Sequence, residues 1–155
     1  MRRCGLAGLA LALLLGGGVR ADEKKADKAE AVREEGKRLN GTWEVVSAVF
    51  DGTKQPVPRK ATLTIKGDKY TVREGEKVVA DGTFTVDPTA TPKSLDGIPS
   101  SGPDKGKPHR GIYEVKGDTY RVCLAPPGKP RPKAFESKEG SGHALVTYKR
   151  AKPKD

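Results

Sequence analysis

The chain has 155 residues, with 30 Lys and Arg against 20 Asp and Glu, a formal charge of +10 and a hydrophobic content of 34%. That is enough for one domain with a small core. The cations are dispersed and no nucleic-acid-binding motif accompanies them, so the charge reads as a solvated surface, with adhesion to anionic surface polymers as the sharper alternative and nucleic acid excluded.

Arg2 and Arg3 lead an apolar run from Gly5 to Leu15, and Gly16-Gly17-Gly18-Val19-Arg20-Ala21 follows. This order predicts a secretory signal peptide over 1–21, cut between Ala21 and Asp22, with small residues at Val19 and Ala21 for the peptidase. The run is shorter than the roughly 20 apolar residues that cross a bilayer, so no membrane span is expected. The expected location is outside the cytoplasm, secreted or periplasmic. Cleavage removes three arginines and no acid and leaves the mature chain basic. It also removes Cys4, which leaves Cys123 alone and the mature chain without an internal disulfide. An unpaired thiol in an oxidising space is either buried or joined to another chain. Burial is the commoner outcome, because free cysteine behaves as a small hydrophobe.

Residues 22–38 are mostly Ala, Glu and Lys and read as a charged linker or a marginal surface helix with little face to dock. From 39 to 150 the pattern changes to short runs of β-formers. These are Thr42 to Phe50, Ala61 to Lys66, the Tyr70/Val72 and Phe84/Val86 alternations, Ile112 to Val115, Tyr120 to Leu124, and His143 to Arg150. Regular spacing with turn residues between the runs predicts an all-β barrel or sandwich of antiparallel strands. Residues 65–72 echo residues 115–122, each reading as strand, Gly-Asp turn, strand; turn chemistry explains the echo better than a repeated functional site. Two Pro- and Gly-rich segments interrupt the pattern. Residues 93–110 have room for one edge strand near 94–98, and residues 126–142 read as loop. Loops of this length are often functional, so a site is expected there first. Residues 151–155 form a basic tail.

Leu39-Asn40-Gly41-Thr42-Trp43, Asp87-Pro88, Pro92-Lys93, Gly111-Ile112-Tyr113, Gly117-Asp118-Thr119 and the stretch from Arg121 through Cys123-Leu124-Ala125-Pro126-Pro127-Gly128-Lys129-Pro130-Arg131-Pro132 to Phe135 resemble an uncharacterised extracytoplasmic domain family of planctomycete bacteria. The resemblance implies fold and location, and no chemistry. Pro99-Ser100-Ser101 interrupts a run that the family pattern continues as strand. Gly41-Thr42-Trp43 is also similar to the G-x-W of lipocalins at the start of the first strand. Arg150 stands where their Trp-covering arginine would, and Gly117-Asp118-Thr119-Tyr120 is similar to their acidic turn. This second resemblance implies a lipocalin-like fold, a small antiparallel up-and-down barrel of about eight strands, and a structural role for Gly41, Trp43 and Arg150, an indole closing one end of the barrel under a guanidinium.

His109, His143 and Cys123 fall at no metal-ligand spacing, no Cys–His or paired-carboxylate arrangement emerges, and no glycine-rich loop precedes a helix, so no catalytic, metal or cofactor site is expected. Arg131, held between Pro130 and Pro132, either anchors its own loop to carbonyls or an acid or, with Lys129 and Lys133, contacts an anion. The function expected is non-enzymatic binding: a small apolar or amphipathic ligand in the barrel, or an anionic envelope polymer on its surface. The alternative is a structural or protein-interaction module with a filled barrel, docking through Cys123 or the basic surface.

Overall fold

The structure, a computed structural model, describes residues 19–153. In chain order it has α1 (Val19–Leu39), β1 (Gly41–Phe50), β2 (Thr53–Gln55), β3 (Ala61–Lys66), β4 (Lys69–Glu74), β5 (Lys77–Asp87), β6 (Ser94–Pro99), β7 (His109–Lys116), β8 (Thr119–Leu124) and β9 (Ala144–Arg150). From β3 to β9 each strand pairs antiparallel with the next in sequence. β1 pairs with β3 on one side and with β9 on the other, from Trp43↔Arg150 to Phe50↔Ala144, which closes eight strands into an up-and-down barrel. β2 is an additional short strand. It folds back on Ala48–Phe50 of β1, beyond Glu44, where the β1–β3 pairing stops. Closure gives every barrel strand two partners and removes the open edge that a flat sheet would leave.

The echoed segments are the β3–β4 and β7–β8 hairpins. Each turns on two residues, with Gly67 (φ 66°) and Gly117 (φ 57°) in the first position. A positive φ there matches the twist of the flanking strands, which is why glycine recurs.

Two expectations need correction. The strand near 94–98 exists, as β6, but it is no edge: it pairs with β5 from Gly82↔Pro99 to Asp87↔Ser94 and with β7 from Ser94↔Ile112 to Gly97↔His109. Its proline is tolerated because Pro99 is the last residue, where the β7 ladder has ended. Residues 22–38 are helical as part of α1, and the helix does dock. Its C-terminal half buries Glu35 and Leu39, four apart on one face. Lys93 donates to Glu35 at 2.7 Å and Lys28 to Asp87 at 2.6 Å. The face is narrow and half of it is a carboxylate, so hydropathy alone does not reveal it. The expected signal segment 1–21 lies outside the described residues except for Val19–Ala21, which begin α1.

The barrel has two different rims. Gly41, Lys66, Asp87, Lys116 and Arg150 fall on the rim that α1 covers; Phe50, Glu74, Pro99, His109 and Leu124 fall on the opposite rim. Large side chains concentrate near the covered rim. Trp43, Tyr113, Tyr120, Tyr148, Ile65 and Leu39 pack into one buried cluster there, with Trp43–Tyr120 ring centroids 5.5 Å apart and Tyr120–Tyr148 stacked at 5.4 Å.

Candidate functional site

The covered end is a sealed floor. A helix C-terminus leaves carbonyls without intrahelical partners, and here the barrel supplies donors for them. The Trp43 indole donates to the Leu39 carbonyl at 2.9 Å. The Arg150 guanidinium donates to the Arg38 and Asn40 carbonyls at 2.8 and 3.1 Å and lies 4.1 Å from the Trp43 ring centre. A cation at this position is also favoured by the helix dipole. Gly41 (φ 124°) opens β1 under that guanidinium; a Cβ there would lie 3.2 Å from Arg150 Nη1. Gly41, Trp43 and Arg150 are therefore one unit that joins α1 to the barrel. The Tyr113 hydroxyl is buried beside the Glu35 carboxylate, and burial together with that charge pushes its pKa far above the ordinary phenol value.

Above the floor the barrel is hollow. A cavity of about 270 Å³ lies between the aromatic layer and the opposite rim. Its cause is visible strand by strand. Its lining mixes the large Ile65, Phe84, Tyr120 and Tyr148 with the smaller Val72, Ala80, Gly97 and Pro99, and pairing sets Ala80 beside Val72 and Gly97 beside Phe84. The small residues leave space that no side chain fills. The wall is apolar apart from the phenols of Tyr70, Tyr120 and Tyr148 and the imidazole of His109. Burial raises the pKa of all three phenols, so they stay neutral. Tyr70 lies across Gly82, where a Cβ would meet the Tyr70 ring and hydroxyl at 2.8 Å and press on the Ile98 carbonyl; glycine is needed there for close approach. His109 sits at the rim with its Nε2 3.4 Å from Asp104 Oδ2.

The Pro-rich segment lies on the outside of the barrel, as a strap over β7 and β8. Arg131 donates to the Leu95 and Gly111 carbonyls at 2.8 and 2.7 Å and pairs with Asp96 at 2.8 Å. Its guanidinium is thus committed to holding the strap, while Lys129 and Lys133 are exposed. Phe135 packs against the Arg121 guanidinium at 4.4 Å. Beneath the strap the outward-facing Ile112 and Cys123 are buried. The Cys123 thiol donates to the Glu136 carbonyl at 3.4 Å, and burial pushes its pKa up. At its far end the strap meets the β1–β2 turn, where Gly52 donates to the Ser137 hydroxyl and Gly142 donates to Asp51.

Of the residues singled out by sequence, Gly41, Trp43 and Arg150 meet at the floor, and Arg131 and Cys123 belong to the strap. Ala21 and Asp22 lie in the first turns of α1. None of these lines the cavity. The cavity-lining His109 and the small Ala80 and Gly97 carried no sequence motif; His109 does fall in the first Pro- and Gly-rich segment, where a site was expected. Among the described residues no group of three or more His, Cys, Asp or Glu converges, and no helix is long and apolar enough to cross a membrane. Comparisons of the chain with family models, with curated proteins and with solved structures return no match.

Proposed function

We propose that this chain is a non-enzymatic binding domain that works outside the cytoplasm and holds one small apolar or amphipathic molecule in its barrel. The observation that carries the reading is the apolar cavity of about 270 Å³ above a sealed floor. Its size limits the occupant. An engineered cavity of about 150 Å³ admits benzene, so by proportion this one suits a body of about ten non-hydrogen atoms. The neutral phenols of Tyr70, Tyr120 and Tyr148 add aromatic contact without charge, and a concave apolar site with few polar groups is the usual form of a small-ligand pocket.

The export reading rests on the Arg2 to Ala21 pattern, and an envelope location agrees with the planctomycete family that the Cys123–Pro132 stretch resembles. A filled barrel acting only as a docking module is the weaker reading, since inward positions that could carry large side chains carry alanine and glycine instead. Native mass spectrometry of protein purified from its own cell envelope tests the proposal. A retained small molecule, on a chain that starts at Asp22, is the expected result. An empty chain that also gains no mass from added indole or 1-octanol, or mature material that still starts at Met1, contradicts it.

A further inference from the structure

We propose that the barrel prefers amphiphiles with an anionic head, a short-chain fatty acid or an aromatic carboxylate, with the apolar body in the cavity and the head at the open rim against His109, Lys107 and Arg110. The inference rests on the binding reading above and adds the charge of the occupant. The cavity itself offers a carboxylate nothing: its polar side chains are neutral phenols, except for His109 at the rim. An ionised head buried among them would lose its water without gaining a partner. The head must therefore stay at the rim, and the rim is cationic where the cavity ends.

On the outer side of β7, level with His109, a second and shallower groove is lined by Lys107, Pro108, Arg110 and Asp104 with Pro127 and Gly128. His109 faces the cavity while its chain neighbours Pro108 and Arg110 face this groove, so the two hollows adjoin across one residue of β7. Two permanent cations and the imidazole meet one acid there. That acid is loosely held: Asp104 lies 3.6 Å from the Lys107 ammonium and 3.4 Å from His109 Nε2. Tight charge-assisted pairs close to about 2.7–2.9 Å, so an incoming carboxylate has donors within reach that no short pair occupies. A cationic head would be repelled by Lys107 and Arg110 and have only Asp104 to pair with, and a hydroxyl would gain no charge interaction.

The test is a calorimetric titration of the protein with octanoate, 1-octanol and octylammonium, which share one apolar body and differ in the head. Octanoate should bind about five- to tenfold more tightly than 1-octanol, as expected for two exposed charge contacts, and octylammonium more weakly than either. The octanoate advantage should shrink at high salt, because exposed charges are screened. The exposed pair of substitutions Lys107→Gln and Arg110→Gln should bring octanoate to the 1-octanol level and leave 1-octanol unchanged. Ala80→Phe, which fills the cavity, should abolish binding of both. Equal affinity for octanoate and 1-octanol, or a preference that survives the double substitution, would overturn the inference while leaving a binding barrel in place; octanoate binding that survives Ala80→Phe would put the ligand outside the cavity and overturn the inference. Failure of every amphiphile and of indole to bind would instead remove the binding reading, and this inference with it.

Discussion

Trp43 carries more of the structure than any other single side chain. It is fully buried, its indole N–H closes the last turn of α1, and Arg150 stacks on its face. Trp43→Ala should cost about 3–5 kcal/mol in denaturant unfolding, a large share of a total stability of roughly 5–15 kcal/mol; a loss below about 1 kcal/mol would show that the floor is not sealed as described. The pairing of Trp43 with Arg150 was legible through the likeness of Gly41-Thr42-Trp43 to the lipocalin G-x-W, and barrel closure, which sets Trp43 opposite Arg150, realises it. The role of Cys123 was half legible. Burial was expected of an unpaired thiol, but its position on the outer face of β8 gives no sign of what covers it, and it is the strap that buries it. A thiol reagent should label the native protein slowly and the unfolded protein fast, since the thiol is both covered and held protonated.

At the scale of elements, the strap and α1 are each fastened to the barrel by identifiable polar contacts, and each set can be tested separately. Arg131→Ala removes the two hydrogen bonds to carbonyls and the Asp96 pair. We expect a loss of about 1.5–3 kcal/mol, typical of hydrogen bonds to a charged group, together with faster labelling of Cys123. A stability loss without faster labelling would mean that Arg131 does not hold the strap over the thiol. For α1, the Lys28 ammonium and the Thr89 side chain hold the Asp87 carboxyl down to about 2, below its ordinary 3.8. A depressed carboxyl contributes stability above its unfolded value, and that contribution is lost as pH falls from 3.8 towards about 2. Lys28→Ala should therefore lower stability modestly at neutrality, as expected of an exposed pair, and flatten its fall through this acid window so that the two proteins converge towards pH 2; an unchanged acid slope would place the Lys28–Asp87 contact outside the folded state in solution. The alternating strands were readable because each carries at least two inward apolar residues. β2, Thr-Lys-Gln, has none, and β6 is interrupted by Gly97 and Pro99, so the first was missed and the second was misread as an edge. α1 was undervalued because a buried Glu35 balanced by Lys93 leaves no apolar stripe to detect.

At the scale of the whole molecule, barrel closure separates two jobs. The rim under α1 is filled with aromatics and gives stability; the opposite half is left open by small inward residues and gives space. That division could not be read from composition, since it depends on register: pairing sets Ala80 beside Val72 and Gly97 beside Phe84 on the inner wall, where their missing bulk leaves room. The most direct measurement is a titration of the methyl-labelled protein with indole, followed by carbon–proton NMR. Saturable shifts confined to the methyls of Leu63, Val72, Val122 and Leu124, with those of the strap and of Val32 in α1 unmoved, are the result expected of an occupied barrel. Shifts spread over exposed residues such as Val46 and Val79, or none at all at millimolar indole, would contradict it.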